Sequence, residues 1–337
     1  MNYKEVLENA KKNMAGQCQA CAICDGVACG NKIPGPGSKA PGNGAHDNYM
    51  AWQKYRVMMD TILPGMNPDT SSEFLGHKVW VPIMPAPTGN LSKQFNPDDD
   101  IREYNDDVFK VCGDLGCIPC FGNGIAPTTV PAAVESMKKY NVPAIPVLNP
   151  ILNKDLMLCI DQFKDAGCAA FGVVVDSAGL AMFKGTDAGL KSIEDLRELK
   201  EYAKMPMMVK GVISAKVAEK AVEAGADAIV VSNHGGRVLP YAPSTADVLA
   251  EIADAVKGKA QIVVDGGIRN GVDMFRAFAL GADMCMMMRP MLIGWYGGKA
   301  EGVECLIKKL QDELSDTMKM CGAATIKDIK RDMVKIF

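Results

Sequence analysis

From about residue 79 onward, short apolar runs alternate with amphipathic stretches. The runs are VWVPIM (79–84), CIPCF (117–121), AIPVL (144–148), AAFGVVV (169–175), MPMMV (205–209), AIVV (228–231), QIVV (261–264) and MCMMM (284–288). They do not alternate strictly between apolar and polar, as a strand with one wet face does. They suit strands buried on both faces of a parallel sheet. Between them stand segments of helical period, among them VPAAVESMKKY, SIEDLRELKEYAK, SAKVAEKAVEAG and TADVLAEIADAVKG. Eight such strand-and-helix units predict an α/β chain folded as a closed (β/α)8 TIM barrel. A doubly wound open sheet is the alternative. That architecture more often carries a glycine fingerprint after its first strand, and MPAPTG is not one.

The pattern ahead of residue 79 is different. Residues 1 to 15 read as a helix, and residues 16 to 47 are rich in Cys, Gly, Pro and Lys. Gly and Pro interrupt both helix and strand, so irregular backbone is predicted there. DNYMAWQKYRVMMDTIL reads as a second helix. The expected division is an N-terminal helical and Cys-rich extension, 1–78, followed by a barrel, 79–337.

Composition changes this picture in two ways. The net charge of −3 gives no electrostatic reason for nucleic acid or an anionic membrane as partner. No apolar stretch is long enough to span a bilayer, and MNYKEVLENAKKNMAG has no apolar signal core, so a cytoplasmic location is expected. The second change comes from the 12 cysteines. Eight, from Cys112 to Cys321, are scattered, many in apolar segments, and read as small buried hydrophobes. The other four form C-x2-C-x2-C-x4-C at Cys18, Cys21, Cys24 and Cys29. Soft thiolates in short loops suit iron–sulfur clusters and zinc. Ferredoxin runs close with a shorter gap and a proline, so a [4Fe–4S] cluster, zinc and unligated thiols all stay open.

In a barrel, chemistry sits on the loops after each strand. Lys210 ends the fifth run and points at the barrel mouth. VVDGGIRNGVDMF (263–275) and MMRP (287–290) follow the seventh and eighth strands. These are the usual phosphate loops of such a barrel, where backbone N–H groups, Arg269 and Arg289 can meet an anion. SNHGGR (232–237) follows the sixth strand. His234 there is a packing residue or a proton-transfer group. Its place at the mouth, beside glycines and the planar fork of Arg237, favours proton transfer.

These stretches together, KG…SNHGGR…DGGIR…RP, resemble the FMN-dependent α-hydroxy acid dehydrogenases and oxidases, the glycolate oxidase and lactate oxidase group. The resemblance is strong over residues 205 to 290 and extends weakly to MPAPTG. It implies that FMN is the cofactor and that His234 is the active-site base. It implies that Arg237 binds the substrate carboxylate, and that Lys210 lies against the flavin N1/O2 edge. Asp265, Gly266, Gly267, Arg269, Met288 and Arg289 would line the ribityl-phosphate end. Pro87, Thr88 and Gly89 would pass under the flavin ring, with Ser232 and Asp176 as further cofactor contacts. The implied reaction is oxidation of a 2-hydroxy acid to a 2-oxo acid. The partners are then a small carboxylate and an electron acceptor the sequence does not name, with a homo-oligomer in keeping with them.

Three places depart from the family pattern, one of them Met288, which stands where the family has glycine before Arg-Pro. VLNPIL stands where the family has a substrate-contacting tyrosine, and DSAGLAMFKG stands where it has a second carboxylate arginine. An added thiol cluster near a flavin favours a dehydrogenase over an oxidase. A reductase or isomerase on the same scaffold, and a purely electron-transferring or redox-sensing module, are the alternatives.

Overall fold

A computed structural model describes residues 1–14, 18–29, 42–89, 91–95, 98–124 and 126–337. Parts of the predicted irregular stretch, residues 16–17 and 30–41, lie outside these. Eight parallel strands form one sheet: β1 (Ile83–Pro85), β2 (Cys120–Gly122), β3 (Ile145–Leu148), β4 (Phe171–Val174), β5 (Met207–Val212), β6 (Ala228–Val231), β7 (Gln261–Val264) and β8 (Met284–Met287). Each strand pairs with the next from β2 to β8, and β8 returns to pair with β1. Between β1 and β2 side chains complete the ring, with Cys120 Sγ 3.7 Å from Met84 Sδ. This is the expected TIM barrel.

The absence of strict alternation in the runs has its cause here. One side of each strand fills the barrel, where Met84, Cys120, Ile145, Met208, Val230, Val263 and Met286 form one cluster. The other side packs under the surrounding helices in a larger cluster, through residues such as Phe171, Val209, Ile229 and Val264. At the strands' C-terminal ends the inward positions turn polar. Two residues beyond Met208, Val230 and Val263 on the same strand faces stand Lys210, Ser232 and Asp265. Lys210 and Asp265 line the mouth, and Ser232 stands behind them, bonded to Lys210.

The predicted boundaries move in two places. VWVPIM does not form a single strand. Val79 ends a hairpin, Ser72–Phe74 with His77–Val79, whose Phe74 and Val79 are fully buried in the barrel interior. These apolar residues plug the barrel's lower end, and β1 begins only at Ile83. The second predicted helix runs over Gly44–Gln53 and then stops. Tyr55–Val57 becomes a strand paired antiparallel with Val334–Ile336, a partner far along the chain. The first helix is Tyr3–Asn13, with the side chain of Asn2 capping the Glu5 amide and the Glu5 carboxylate returning to Asn2. It lies on the long C-terminal helix Arg289–Cys321, which is broken at Gly298 and Lys299. A β-carbon on Gly297 would come within 2.3 Å of the Val6 carbonyl oxygen, so this glycine permits the close approach.

Candidate functional site

The barrel mouth opens into a cleft enclosing about 1170 Å³ of empty space, its entrance included. Of the residues singled out from the sequence, Pro87, Thr88, Gly89, Lys210, His234, Arg237, Asp265, Gly266, Gly267, Arg269, Met288 and Arg289 all line it. Asp176 and Ser232 stand behind this lining instead. Both hold other site residues in place. Ser232 accepts from Lys210 Nζ at 2.7 Å and from the His234 amide at 3.2 Å. Lys210 also donates to Asp265 at 2.6 Å, a buried ion pair.

Asp176 pairs with the histidine. His234 Nδ1 lies 3.1 and 3.2 Å from its two carboxylate oxygens. Burial alone would push the Asp176 carboxyl up, but the His234 ring and Lys210 hold it below the usual carboxylate range. An ionised carboxylate only accepts, so Nδ1 is the ring nitrogen that donates to Asp176 and Nε2 is left for other contacts. Asp176 thus fixes the orientation of the His234 ring. The backbone makes room for this. Gly211 has φ +99° at a bulge in β5, and a β-carbon there would sit 2.5 Å from the Asp176 carboxylate.

The opposite end of the cleft is built for an anion. The loop after β7 and the helix start after β8 bring Arg269 and Arg289 together. Arg269 Nη2 and Arg289 Nη1 are buried with no hydrogen-bond partner. Burial and the neighbouring Arg269 charge both lower the pKa of Arg289, as expected where two cations share a low-dielectric site. Such a set calls for a dianion such as a phosphate monoester. Gly267 has φ +85°, and its would-be β-carbon lies 2.5 Å from the Asn48 carbonyl, so only glycine fits this turn. The phosphate and ring-floor residues therefore fit FMN.

Sequence reasoning missed the residues that brace these loops. Asn48 and Asn233 exchange side-chain hydrogen bonds of 2.7 and 2.9 Å. Asn233 also accepts from the Gly235 amide. Trp52 Nε1 donates to the Gly266 carbonyl at 2.8 Å. The helix Gly44–Gln53 thereby ties the His234 loop to the phosphate loop. Asn149, in the VLNPIL stretch, lines the cleft and donates to Asn123 at 2.8 Å. Leu180, Met182 and Phe183 line the cleft where the second arginine was missing from the sequence pattern. No motif marked these positions. Their signal is only that they follow β2, β3 and β4.

The cysteine segment lies beside the phosphate end. Arg269 Nε donates to the Cys24 carbonyl at 2.6 Å. Burial raises the Cys18 thiol, and the nearby Cys24, Cys29 and Cys21 add to that. Among the described residues no group of three or more His, Cys, Asp or Glu side chains is gathered closely enough to hold a metal ion. The metal expectation for Cys18, Cys21, Cys24 and Cys29 thus meets no pre-formed site, and zinc least of all, since a single ion needs its four ligands in contact around one centre. Among the described residues no helix is long and apolar enough to cross a membrane.

Comparison with known proteins agrees with this geometry. A family model described as FMN-dependent dehydrogenase matches residues 37–184 and 178–336. An L-lactate oxidase of Lactobacillus jensenii is 30% identical over 312 residues, which is 84% of this chain and 76% of that one. Glycolate oxidase 3 of Arabidopsis thaliana is 30% identical over 309 residues, 79% of this chain and 81% of that one. A solved mandelate oxidase with benzoylformic acid superposes with a TM-score of 0.82 at 23% identity, covering 99% of this chain and 97% of that one, and shares the fold. With a matching family model and relatives along most of its length, this chain belongs to the FMN-dependent dehydrogenase family, the oxidoreductases that include the α-hydroxy acid oxidases.

Proposed function

We propose that the protein oxidises a 2-hydroxy acid bearing an apolar substituent to the corresponding 2-oxo acid. The observation that carries this is the Asp176–His234 pair, set in one cleft with Arg237. Arg237 holds the substrate carboxylate through its planar fork. His234 Nε2 then takes the hydroxyl proton, and the imidazolium formed is stabilised by the Asp176 carboxylate behind it. Bound FMN would supply the two-electron acceptor, held by Arg269 and Arg289 at its phosphate. Lys210, kept in place by Asp265 and Ser232, sets a positive charge on the floor of the cleft. Leu180, Met182 and Phe183 exclude water above it and favour an apolar substituent over a second charged group.

The named relatives are oxidases. Our reading departs from them on one point. We assign electron delivery to an acceptor other than oxygen, on the support of the thiol-rich segment beside the phosphate loop. The test uses anaerobic holoprotein and a panel of 2-hydroxy acids with hydrogen, methyl, branched-alkyl and phenyl substituents. The flavin should be bleached best by the larger apolar members. Reoxidation should be faster with a one-electron dye than with air. A folded holoprotein that no member bleaches would overturn the substrate class. Rapid stoichiometric peroxide formation in air would overturn the acceptor.

A further inference from the structure

The N-terminal cysteines take no part in the chemistry above, yet they are arranged unlike the remaining thiols. Six of the other eight are buried in the core, whereas Cys18, Cys21, Cys24 and Cys29 are all partly exposed. Within this set Cys21 and Cys24 stand apart. The whole turn from Cys21 to Cys24 lines a cavity of about 660 Å³, its opening included, together with Arg269 and Asn270. The chain bends at both ends of that turn. Ala20 has φ +40°, and the Asp25 amide donates to the Ile23 carbonyl at 3.0 Å, around Cys24. Burial raises the Cys21 thiol, and among the charges that add to this Cys24 is the strongest. A metal needs three or four ligands around one centre, and the described residues gather no such group. A covalent bridge needs only two.

Surroundings distinguish the two sulfurs. Of the thiols, Cys24 acts most strongly on the Arg289 guanidinium, and its carbonyl accepts from Arg269 Nε at 2.6 Å. A sulfur beside cations is the one placed to attack. Cys21, its thiol pushed up by burial, keeps its proton and is placed to resolve. The same turn is tied to the cofactor site. Arg269 Nη1 is held by the Ile268 carbonyl at 2.6 Å, and Nη2 has no partner. The Cys24 carbonyl therefore sets the direction in which the fork faces the phosphate site.

We propose that Cys21 and Cys24 close a disulfide by exchange with a low-molecular-weight disulfide entering this cavity, and that closure draws the Cys24 carbonyl off Arg269 and loosens the FMN phosphate. The Cys24 sulfur attacks one sulfur of the reagent and expels the other as a thiolate. The Cys21 sulfur then displaces the second half of the reagent from Cys24. Two electrons and two protons pass to the reagent, which leaves as two thiols. No substrate assignment enters, so a failed hydroxy acid panel leaves this proposal standing.

The test equilibrates anaerobic holoprotein in glutathione buffers from fully reduced to fully oxidised, then alkylates it and maps its peptides by mass. The oxidised buffer should yield a peptide two hydrogens lighter, bridged between Cys21 and Cys24, with Cys18 and Cys29 alkylated. Cys21→Ser should stop at a glutathione adduct on Cys24. Four alkylated thiols in every buffer, a bridge between any other pair, or a persistent adduct in the wild type each overturns the pair. The oxidised holoprotein should release FMN about tenfold faster than the reduced, the worth of one well-placed charge-assisted hydrogen bond. Protein reloaded with riboflavin, which lacks the phosphate, should release it at one rate in both states. Equal FMN release from the two states, or equal acceleration for both flavins, overturns the link through Arg269.

Discussion

At the scale of single residues, His234 is held against its own backbone preference. Its φ of +54° lies in the left-handed region, which costs a residue with a β-carbon about 1–2 kcal/mol. The Asp176 contact and the His234 amide bond to Ser232 hold it there. Asparagine tolerates this backbone, so His234→Asn should fold and bind FMN while substrate-dependent flavin reduction slows by roughly 10²–10⁴-fold. The pH dependence separates this from a packing role. In the wild type the folded Asp176 carboxyl is held below its unfolded value. Its contribution to stability is therefore present above the unfolded pKa and lost as pH falls through the folded one. Without the ring, burial dominates and the carboxyl moves up, so the ionised form becomes a liability that protonation removes. The stability gap between wild type and variant, from urea midpoints, should then narrow as pH falls through the ordinary carboxylate range. A gap that stays constant with pH would show that Asp176 is not coupled to the ring.

At the scale of elements, the site depends on a helix that carries none of its chemistry. Gly44–Gln53 docks its first residue onto the His234 loop. A β-carbon on Gly44 would lie 2.6 Å from the Gly236 backbone. Gly44→Ala should therefore cost about 1–3 kcal/mol by overpacking, and should lower FMN content because Asn48 and Trp52 ride on the same helix. Gly65→Ala, with nothing within 4 Å of the new methyl, should stay within about 0.5 kcal/mol in the same urea titration. Equal effects of the two would mean that the helix is not a brace. The contrast also shows what local pattern can carry. AIVV and QIVV were legible as β6 and β7 to the residue, because both faces of those strands are apolar. The phosphate loops were legible because their glycines and arginines are contiguous. Asp176 was legible as a site residue but not as the partner of His234, 58 positions away. Asn48 and Trp52 act only through distant loops, and VWVPIM misled because its apolar residues serve the barrel floor as well as β1.

At the scale of the whole molecule, the brace is anchored by residues from the other end of the sequence. Tyr55–Val57 follows the Gly44–Gln53 helix directly and pairs with Val334–Ile336. Of that second strand Val334 is buried at 6% exposure, while Lys335 and Ile336 face outward. Tyr55 OH reaches the Ala246 carbonyl at 3.2 Å, and the neighbouring Thr245 hydroxyl donates to the Asp265 carbonyl at 2.8 Å. A short path thus runs from Ile336, the register partner of Tyr55, through Tyr55 to the loop that carries Asp265 and Gly266. Burying one valine is worth about 1.5–3 kcal/mol, so removing residues 334–337 should lower the unfolding free energy by an amount of that order. The more telling readout is local. The truncated holoprotein should release FMN faster than the wild type at a temperature well below either melting point, because the helix carrying Trp52 loses its outer tether. Val334→Ala, which keeps the backbone ladder, should lose stability with little change in FMN release. If the truncation and the alanine variant release FMN at the same rate, the ladder does not tether the helix, and the brace is held by its contacts at the barrel mouth alone.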